Sequence, residues 1–233
     1  VTLTLNAGGS AIQDAAGNAL AANAVAAVTF DNVAPTAAIT PNGTTVNTSP
    51  ITFTLTFSEP VTGVSLGDLM AEGSLSGPLT VGNFQAVSST VYTVDVSGMS
   101  SGEGVTLTLT AAGSAIQDAA GNLMVANAAA FVGFDTTAPT AAITPNGTTV
   151  NTSPITFTVT FSEPVTGVSL GDLGAVGSVT GPLTVGNFQA VSSTVYTVNV
   201  TGMVSGEYVT LTLNAGGSAI QDAAGNALAA NAV

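Results

Sequence analysis

The sequence predicts an all-β chain, a tandem run of antiparallel β-sandwiches with about seven strands each, and three observations predict it. Apolar residues alternate with Thr or other polar residues at period two in ITFTLTF (51–57), VYTVDV (91–96) and VTLTL (105–109), which puts the apolar set on one face of a strand. Gly, Pro and Asn clusters punctuate the chain between such runs, and no 3.6-residue periodicity is long enough for a helix. The third observation is repetition. VTLTLNAGGSAIQDAAGNALAANAV at 1–25 returns unchanged at 209–233, and a near copy, VTLTLTAAGSAIQDAAGNLMVANA, fills 105–128. The copies start at residues 1, 105 and 209, a spacing of 104, so two slightly different units alternate with a true period of 208.

Residues 1–30 read as the C-terminal part of a truncated unit: a strand VTLTL, the loop AGGSAIQDAAGN, and an Ala/Val segment ending in AAVTF at Phe30. DNVAP at 31–35 is a junction, matched by DTTAP at 135–139, and its proline stiffens an extended approach to the next strand. A complete unit, 31–134, then opens with a short extended piece at 37–41 and the turn-rich PNGTTVNTSP at 41–50, where Asn-Gly signals a turn. In 51–57, Ile51, Phe53, Leu55 and Phe57 share the core face, and Ser58-Glu59-Pro60 ends the strand. Residues 61–69 read as another extended piece and 79–87 as one more. In 91–96, Tyr92 is out of phase with Val91 and Thr93. Gly102 and Gly104 mark a turn, 105–110 is a further strand and 128–134 the last, and the Ala-rich loop around Ala119 has room for one helical turn. Residues 135–233 repeat this order with ITFTVTF, FSEPVTG and VYTVNV and stop before the last strand. About seven short strands in roughly 100 residues, with turns between them, is the pattern of an immunoglobulin-type sandwich, here without its cysteine pair or tryptophan.

Composition narrows what such a chain can do. It carries 13 acidic residues and no Lys, Arg or His, for a net charge of −13. No side chain can form a salt bridge, so each carboxylate is solvated, hydrogen-bonded, or neutralised by metal ions. Nucleic acid is excluded as a partner because nothing here neutralises phosphates, and the same absence removes polybasic membrane contact. No apolar run approaches the roughly 20 residues of a membrane span, and no signal peptide is visible. Without Cys there are no disulfides or thiolate metal sites. Catalysis by His, Cys, Lys or Arg is unavailable, which leaves only a carboxylate pair, and an enzyme is not expected. Carbohydrate binding lacks aromatic platforms, with no Trp and only Tyr92, Tyr196 and Tyr208. The Thr ladders would suit ice or mineral only as flat exposed arrays, and alternation with buried residues already explains them.

The ordered set DTTAPT, ITFTVTFSEPVTG, VYTV and QDAAGN, recurring along the whole chain, resembles the bacterial Ig-like tandem repeats of large secreted adhesins and other cell-surface proteins. The resemblance implies an extracellular string of Ig-like sandwiches, commonly with calcium at the junctions, that extends something away from a cell.

Topology then places the acids. In such a sandwich the loop between the second and third strands and the loop between the sixth and seventh lie at the pole where the first strand enters. Glu59, Asp118 and Asp31 therefore gather at one pole, Glu163, Asp222 and Asp135 do so in the next unit, and Asp14 belongs to the truncated unit with its partners outside 1–233. Calcium, with about 6 to 8 oxygen ligands and loose geometry, is the expected counterweight, helped by backbone carbonyls, Asn122 or Asn226, and water. Glu103, and Glu207 one period later, sit at the opposite pole and are expected to reach the same ion across the boundary. The alternative for Asp14, Asp118 and Asp222 is that Asp in D-A-A-G-N caps a turn by accepting backbone N–H bonds. For Asp68 and Asp172 a capping or solvated role is preferred.

The expected function is a structural region of a long extracellular fibre or adhesin stalk, stiffened by calcium between neighbouring repeats. One alternative is a strand-exchanging subunit of a self-assembling filament, because 135–233 lacks its last strand while Ala26–Phe30 is a last strand following a duplicate of that unit's end. A carbohydrate-binding module ranks below it. Sequons at Asn42, Asn47, Asn146, Asn151 and Asn199 are frequent by chance in this composition.

Overall fold

The computed structural model describes residues 1–178 and 181–233. Alternation and punctuation translate directly into strands, and the only helical pieces among the described residues are single 3-10 turns at Leu66–Asp68 and Leu170–Asp172. The opening residues form a hairpin-like pair of β1 (Thr2–Leu5) and β2 (Ala24–Ala27), with Thr2 opposite Ala27 and Leu5 opposite Ala24. Their side chains are exposed.

Nine strands follow: β3 (Ala37–Pro41), β4 (Thr45–Val46), β5 (Ile51–Phe57), β6 (Leu69–Gly73), β7 (Gly77–Pro78), β8 (Thr80–Ala86), β9 (Val91–Ser97), β10 (Glu103–Leu109) and β11 (Ala128–Phe134). They make two sheets, β3-β5-β9-β8 and β4-β11-β10-β6-β7. All pairings are antiparallel except β4 against β11, because the chain crosses from one sheet to the other after Pro41 and runs beside the last strand in the same direction.

The inner faces are those the alternation predicts. Ile51, Phe53, Leu55 and Phe57 of β5 pack with Tyr92, Val94 and Val96 of β9, against Val105, Leu107, Leu109, Val132 and Phe134 of the other sheet, all buried. Burying each large apolar side chain contributes about 1.5–3 kcal/mol. The Tyr92 ring stacks on Phe84 at 5.6 Å and meets Phe57 edge-on at 5.7 Å, while its hydroxyl donates to the Val61 carbonyl at 3.2 Å. Its polar end is thus satisfied inside the core, and it is no sugar platform.

Two local expectations need correction. Residues 61–65 form a loop that leads into the 3-10 turn Leu66–Asp68, and the strand begins only at Leu69: the Asp68 carboxylate accepts from the Ser65 N–H and hydroxyl, both at 2.8 Å, and side-chain bonding of this kind favours a turn over a ladder. Around Ala119 there is a turn closed by the Gly121 N–H on the Asp118 carbonyl at 3.3 Å, with no helix.

The later residues repeat the pattern in β12 (Ala141–Pro145), β13 (Ile155–Phe161), β14 (Leu173–Gly177), β15 (Thr184–Ala190), β16 (Val195–Thr201) and β17 (Val209–Leu213). The sheets are β12-β13-β16-β15 and β14-β17, and Ile155 pairs with Val200 as Ile51 pairs with Val96. A second buried cluster holds Phe157, Val159, Phe161, Tyr196, Val198, Val200, Leu211 and Leu213, separate from the first. Ala232 joins Leu213 by two backbone hydrogen bonds, where Ala128 joins Leu109 in the earlier copy.

One pole of each sandwich is tied by an unusual loop-to-loop contact. Thr62, after β5, exchanges backbone hydrogen bonds with Gln117, in the loop before β11, at 2.9 and 3.1 Å. Gly63 sits beside this bridge with φ +82, and a Cβ there would lie 2.1 Å from the Ala115 carbonyl oxygen. Only glycine permits that approach. Gly167 repeats it against Ala219 at 2.0 Å. This bridge brings the two acid-bearing loops together.

Candidate metal centre

Asp118 begins a tight D-A-A-G-N turn whose base is fixed by Ile116, which is fully buried, and by Met124. One carboxylate oxygen accepts the N–H groups of Ala120 and Asn122, each at 2.8 Å, and the other accepts the Asn122 side-chain amide at 2.7 Å. That amide holds the carboxyl below its ordinary pKa, burial works against it, and the backbone donors add to the lowering. The capping reading of this Asp thus describes its geometry, and the residue is buried, at 5 % exposure. Glu59, half-buried after β5, and Asp31, exposed ahead of β3, complete the group: one carboxylate oxygen from each of the three lies within 4.8 Å of the others.

Asp135, Glu163 and Asp222 form an equivalent group one period on. Asp222 accepts from Ala224 and Asn226 N–H at 2.8 and 2.9 Å and from the Asn226 amide at 2.8 Å. Asp135 is the first residue of the linker and is gripped from behind, since its N–H donates to the Val46 carbonyl at 2.9 Å and its carboxylate accepts the Ser101 hydroxyl at 2.9 Å. The Thr137 N–H, at 2.8 Å, is the main cause of its lowered pKa, opposed by burial and reinforced by Ser101.

The glutamates differ from the aspartates. No protein donor among the described residues reaches the Glu59 or Glu163 carboxylate. Burial pushes the Glu59 pKa up, and the neighbouring charges of Asp118 and Asp31 push it further; Glu163 rises for the same reason, beside Asp222 and Asp135. Each group therefore contains one carboxylate that lacks a partner of its own, packed near two others. The donor set is all oxygen. It suits a hard cation such as calcium, while zinc would lack nitrogen or sulfur ligands.

Three expected members take other places. Glu103 does not face the ion position: it is 2 % exposed, and its oxygens accept from Leu75 N–H, Ser76 N–H, the Ser76 hydroxyl and Ser100 N–H. Its carboxylate ties the turn after β6 to the turn before β10. Glu207 accepts from Val204 N–H at 2.7 Å within its own turn. Asp14 caps its turn through Ala16, Asn18 and the Asn18 amide, each at 2.9 Å, and joins no group of three among the described residues. The amides of Asn122 and Asn226 also point the other way from expectation. Their nitrogens, not their oxygens, face the carboxylates, because a carboxylate and a main-chain carbonyl (of Asp31 or Asp135) both demand a donor there.

Ser101 and Asn47 were not legible as junction residues. Asn47 stood out only as a sequon, and a serine in an S-S-G-E turn carries no periodic signal.

The sequence model described as bacterial Ig-like domain matches residues 31–131 and again 135–232. No curated protein matches the chain. Among solved structures, that of Yersinia pseudotuberculosis InvD is similar at 17% identity and a TM-score of 0.41, over 85% of this chain and 56% of that one. The N-terminal part of the bacterial S-layer protein SbsC is similar at 15% identity and a TM-score of 0.31, over 75% of this chain and 43% of that one. The chain spans about half the length of these solved chains.

Proposed function

Because the chain belongs to the bacterial Ig-like domain family, we propose that it is a non-catalytic structural stretch of an extracellular fibre or adhesin stalk, its units locked at their junctions by calcium. The observation that carries this reading is the recurrence of a three-carboxylate group at each linker, in a chain with no cationic side chain to neutralise it. We take 31–134 and 135–233 as the successive units, with 1–30 as part of a third.

The geometry suggests how an ion would stiffen the array. Asp135 is already held by the first unit through Val46 and Ser101. An ion shared by Asp135, Glu163 and Asp222 fastens that same linker residue to two loops of the second unit. Rotation about the linker then requires breaking metal bonds. An affinity of about 10⁻⁴–10⁻³ M is characteristic of extracellular modules. Magnesium is less suited, since it demands a near-ideal octahedron and gives up water reluctantly.

Small-angle scattering in chelator and in millimolar calcium tests the mechanical claim: the chain should lengthen and stiffen with the metal, and Glu163→Gln should remove most of the change. Superimposable curves would overturn it. Calorimetry should read two ions per chain, one per carboxylate group.

A further inference from the structure

The two units also touch without any charge. Asn226 stands at the contact: both hydrogens of its amide are engaged, on Asp222 Oδ2 at 2.8 Å and on the Asp135 carbonyl at 2.9 Å. This orients the amide, and Oδ1 is turned away from the carboxylates toward the first unit. There it accepts Nδ2 of Asn47 at 3.1 Å, across 179 residues of sequence. Asn47 directly follows Val46, whose carbonyl receives the Asp135 N–H, so the donor is delivered by the same short strand that holds the linker. Gly225 lies alongside, and a Cβ placed there would come 3.7 Å from Asn47 Nδ2.

We infer that Asn47 and the D-A-A-G-N turn of the following unit form a direct, uncharged, metal-independent clasp that sets the orientation of the second unit on the first. The partner it fits is another unit of the same kind. Asn151 stands one period after Asn47, and Asn122 repeats the amide orientation of Asn226, with Nδ2 on Asp118 Oδ2 at 2.7 Å and on the Asp31 carbonyl at 3.3 Å. The unit 31–134 thus carries both halves, a donor after the crossing between its sheets and an acceptor, Asn122, before β11. Asparagine suits both ends: it donates and accepts without adding charge beside three carboxylates. An aspartate at 47 would set a carboxylate against the outward Oδ1 of Asn226.

Residual dipolar couplings on the whole chain, recorded in chelator, test this apart from the calcium reading. The wild-type chain should show one alignment tensor shared by 31–134 and 135–233. Asn47→Ala and Asn47→Asp should each lose the shared tensor, with amide shifts away from the junction unchanged to show that both units stay folded. Asn151→Ala, whose partner would lie in a following unit, should keep it. Two tensors in the wild-type chain, one shared tensor in Asn47→Ala, or loss of sharing in Asn151→Ala would each overturn the clasp. A failure of calcium to bind or stiffen leaves this result untouched, because no metal is present.

Discussion

Glu103→Gln removes a single negative charge from the inside of the first sandwich, and the structure lets its cost be worked out. One oxygen of Glu103 accepts from Leu75 and Ser76 N–H at 3.1 and 3.0 Å, and the other from the Ser76 hydroxyl at 3.1 Å and from Ser100 N–H. The space is reserved for a carboxylate, since a Cβ on Gly73 would come 2.4 Å from its oxygen. A glutamine keeps one oxygen, best spent on Leu75 and Ser76. Its amine then meets the Ser76 hydroxyl, which can turn to accept, and the Ser100 N–H, which cannot. A buried donor left unpaired costs about 1–3 kcal/mol, and bonds to a charged group exceed neutral ones by about 1 kcal/mol each. The weakened Leu75 and Ser76 bonds and the unpaired Ser100 N–H together come to about 3–5 kcal/mol, a large part of the 5–15 kcal/mol typical of a domain, and lower Tm by about 12–40 °C for a unit of this size.

Thermal unfolding followed amide by amide in NMR spectra is the suitable assay, because the second unit reports in the same tube as an internal standard. The first unit should melt early and the second should not move. A first unit that melts where it does in the wild-type chain, or a loss below about 1 kcal/mol, would refute the satisfied-carboxylate account. The acid limb provides a second check. Burial raises the Glu103 pKa, but the N–H groups of Ser100, Ser76 and Leu75 and the Ser76 hydroxyl outweigh it, so the folded value lies below the ordinary one. The stability it contributes is present above the ordinary glutamate range and is lost as pH falls through the lower folded value. The glutamine variant should lack this part of acid denaturation.

Two further outcomes follow from the carboxylate groups. Glu59 and Glu163 carry raised pKa values, so in the metal-free chain their contribution to stability is present below the unfolded value and lost as pH rises through the folded one. Calcium must displace those protons, and its affinity should begin to fall at a pH above the ordinary glutamate range; a titration series flat down to about pH 4 would contradict this. Ile116→Ala leaves a cavity under the turn that holds Asp118 and should cost about 2–5 kcal/mol in the first unit while weakening calcium binding there alone. Unfolding and calorimetry on the same sample check both, and unaltered binding would show that the turn keeps its shape without that anchor.

Most strands and the core were legible because they depend on local periodicity. In ITFTLTF every second residue must face the same way, and Ile51, Phe53, Leu55 and Phe57 are all buried. The meeting of Asp31, Glu59 and Asp118 was legible too, since strand count and connectivity alone send their loops to one pole. Turn chemistry was harder: VSLGDL reads as extended by its apolar residues, yet Asp68 bonding back to Ser65 bends it. For Glu103 the sequence led to a junction ligand, and the structure turns its carboxylate inward instead. An acid between two glycines at a turn shows nothing in sequence of the backbone donors of two turns that converge on it.

The sequence by itself determined the all-β class, the 104-residue repeat, the apolar faces and the absence of any cation able to quench the acids, because each is a matter of residue identity and near-neighbour geometry. Tertiary structure decided that the backbone donors of two turns converge on Glu103, which end of Asn226 faces the Asp135 carbonyl, and that Asn47 reaches it. Those outcomes depend on where donors and acceptors from loops about 30 to 180 residues apart arrive in space, and hydrogen bonding, which acts over about 3 Å, is settled only once the sheets have packed.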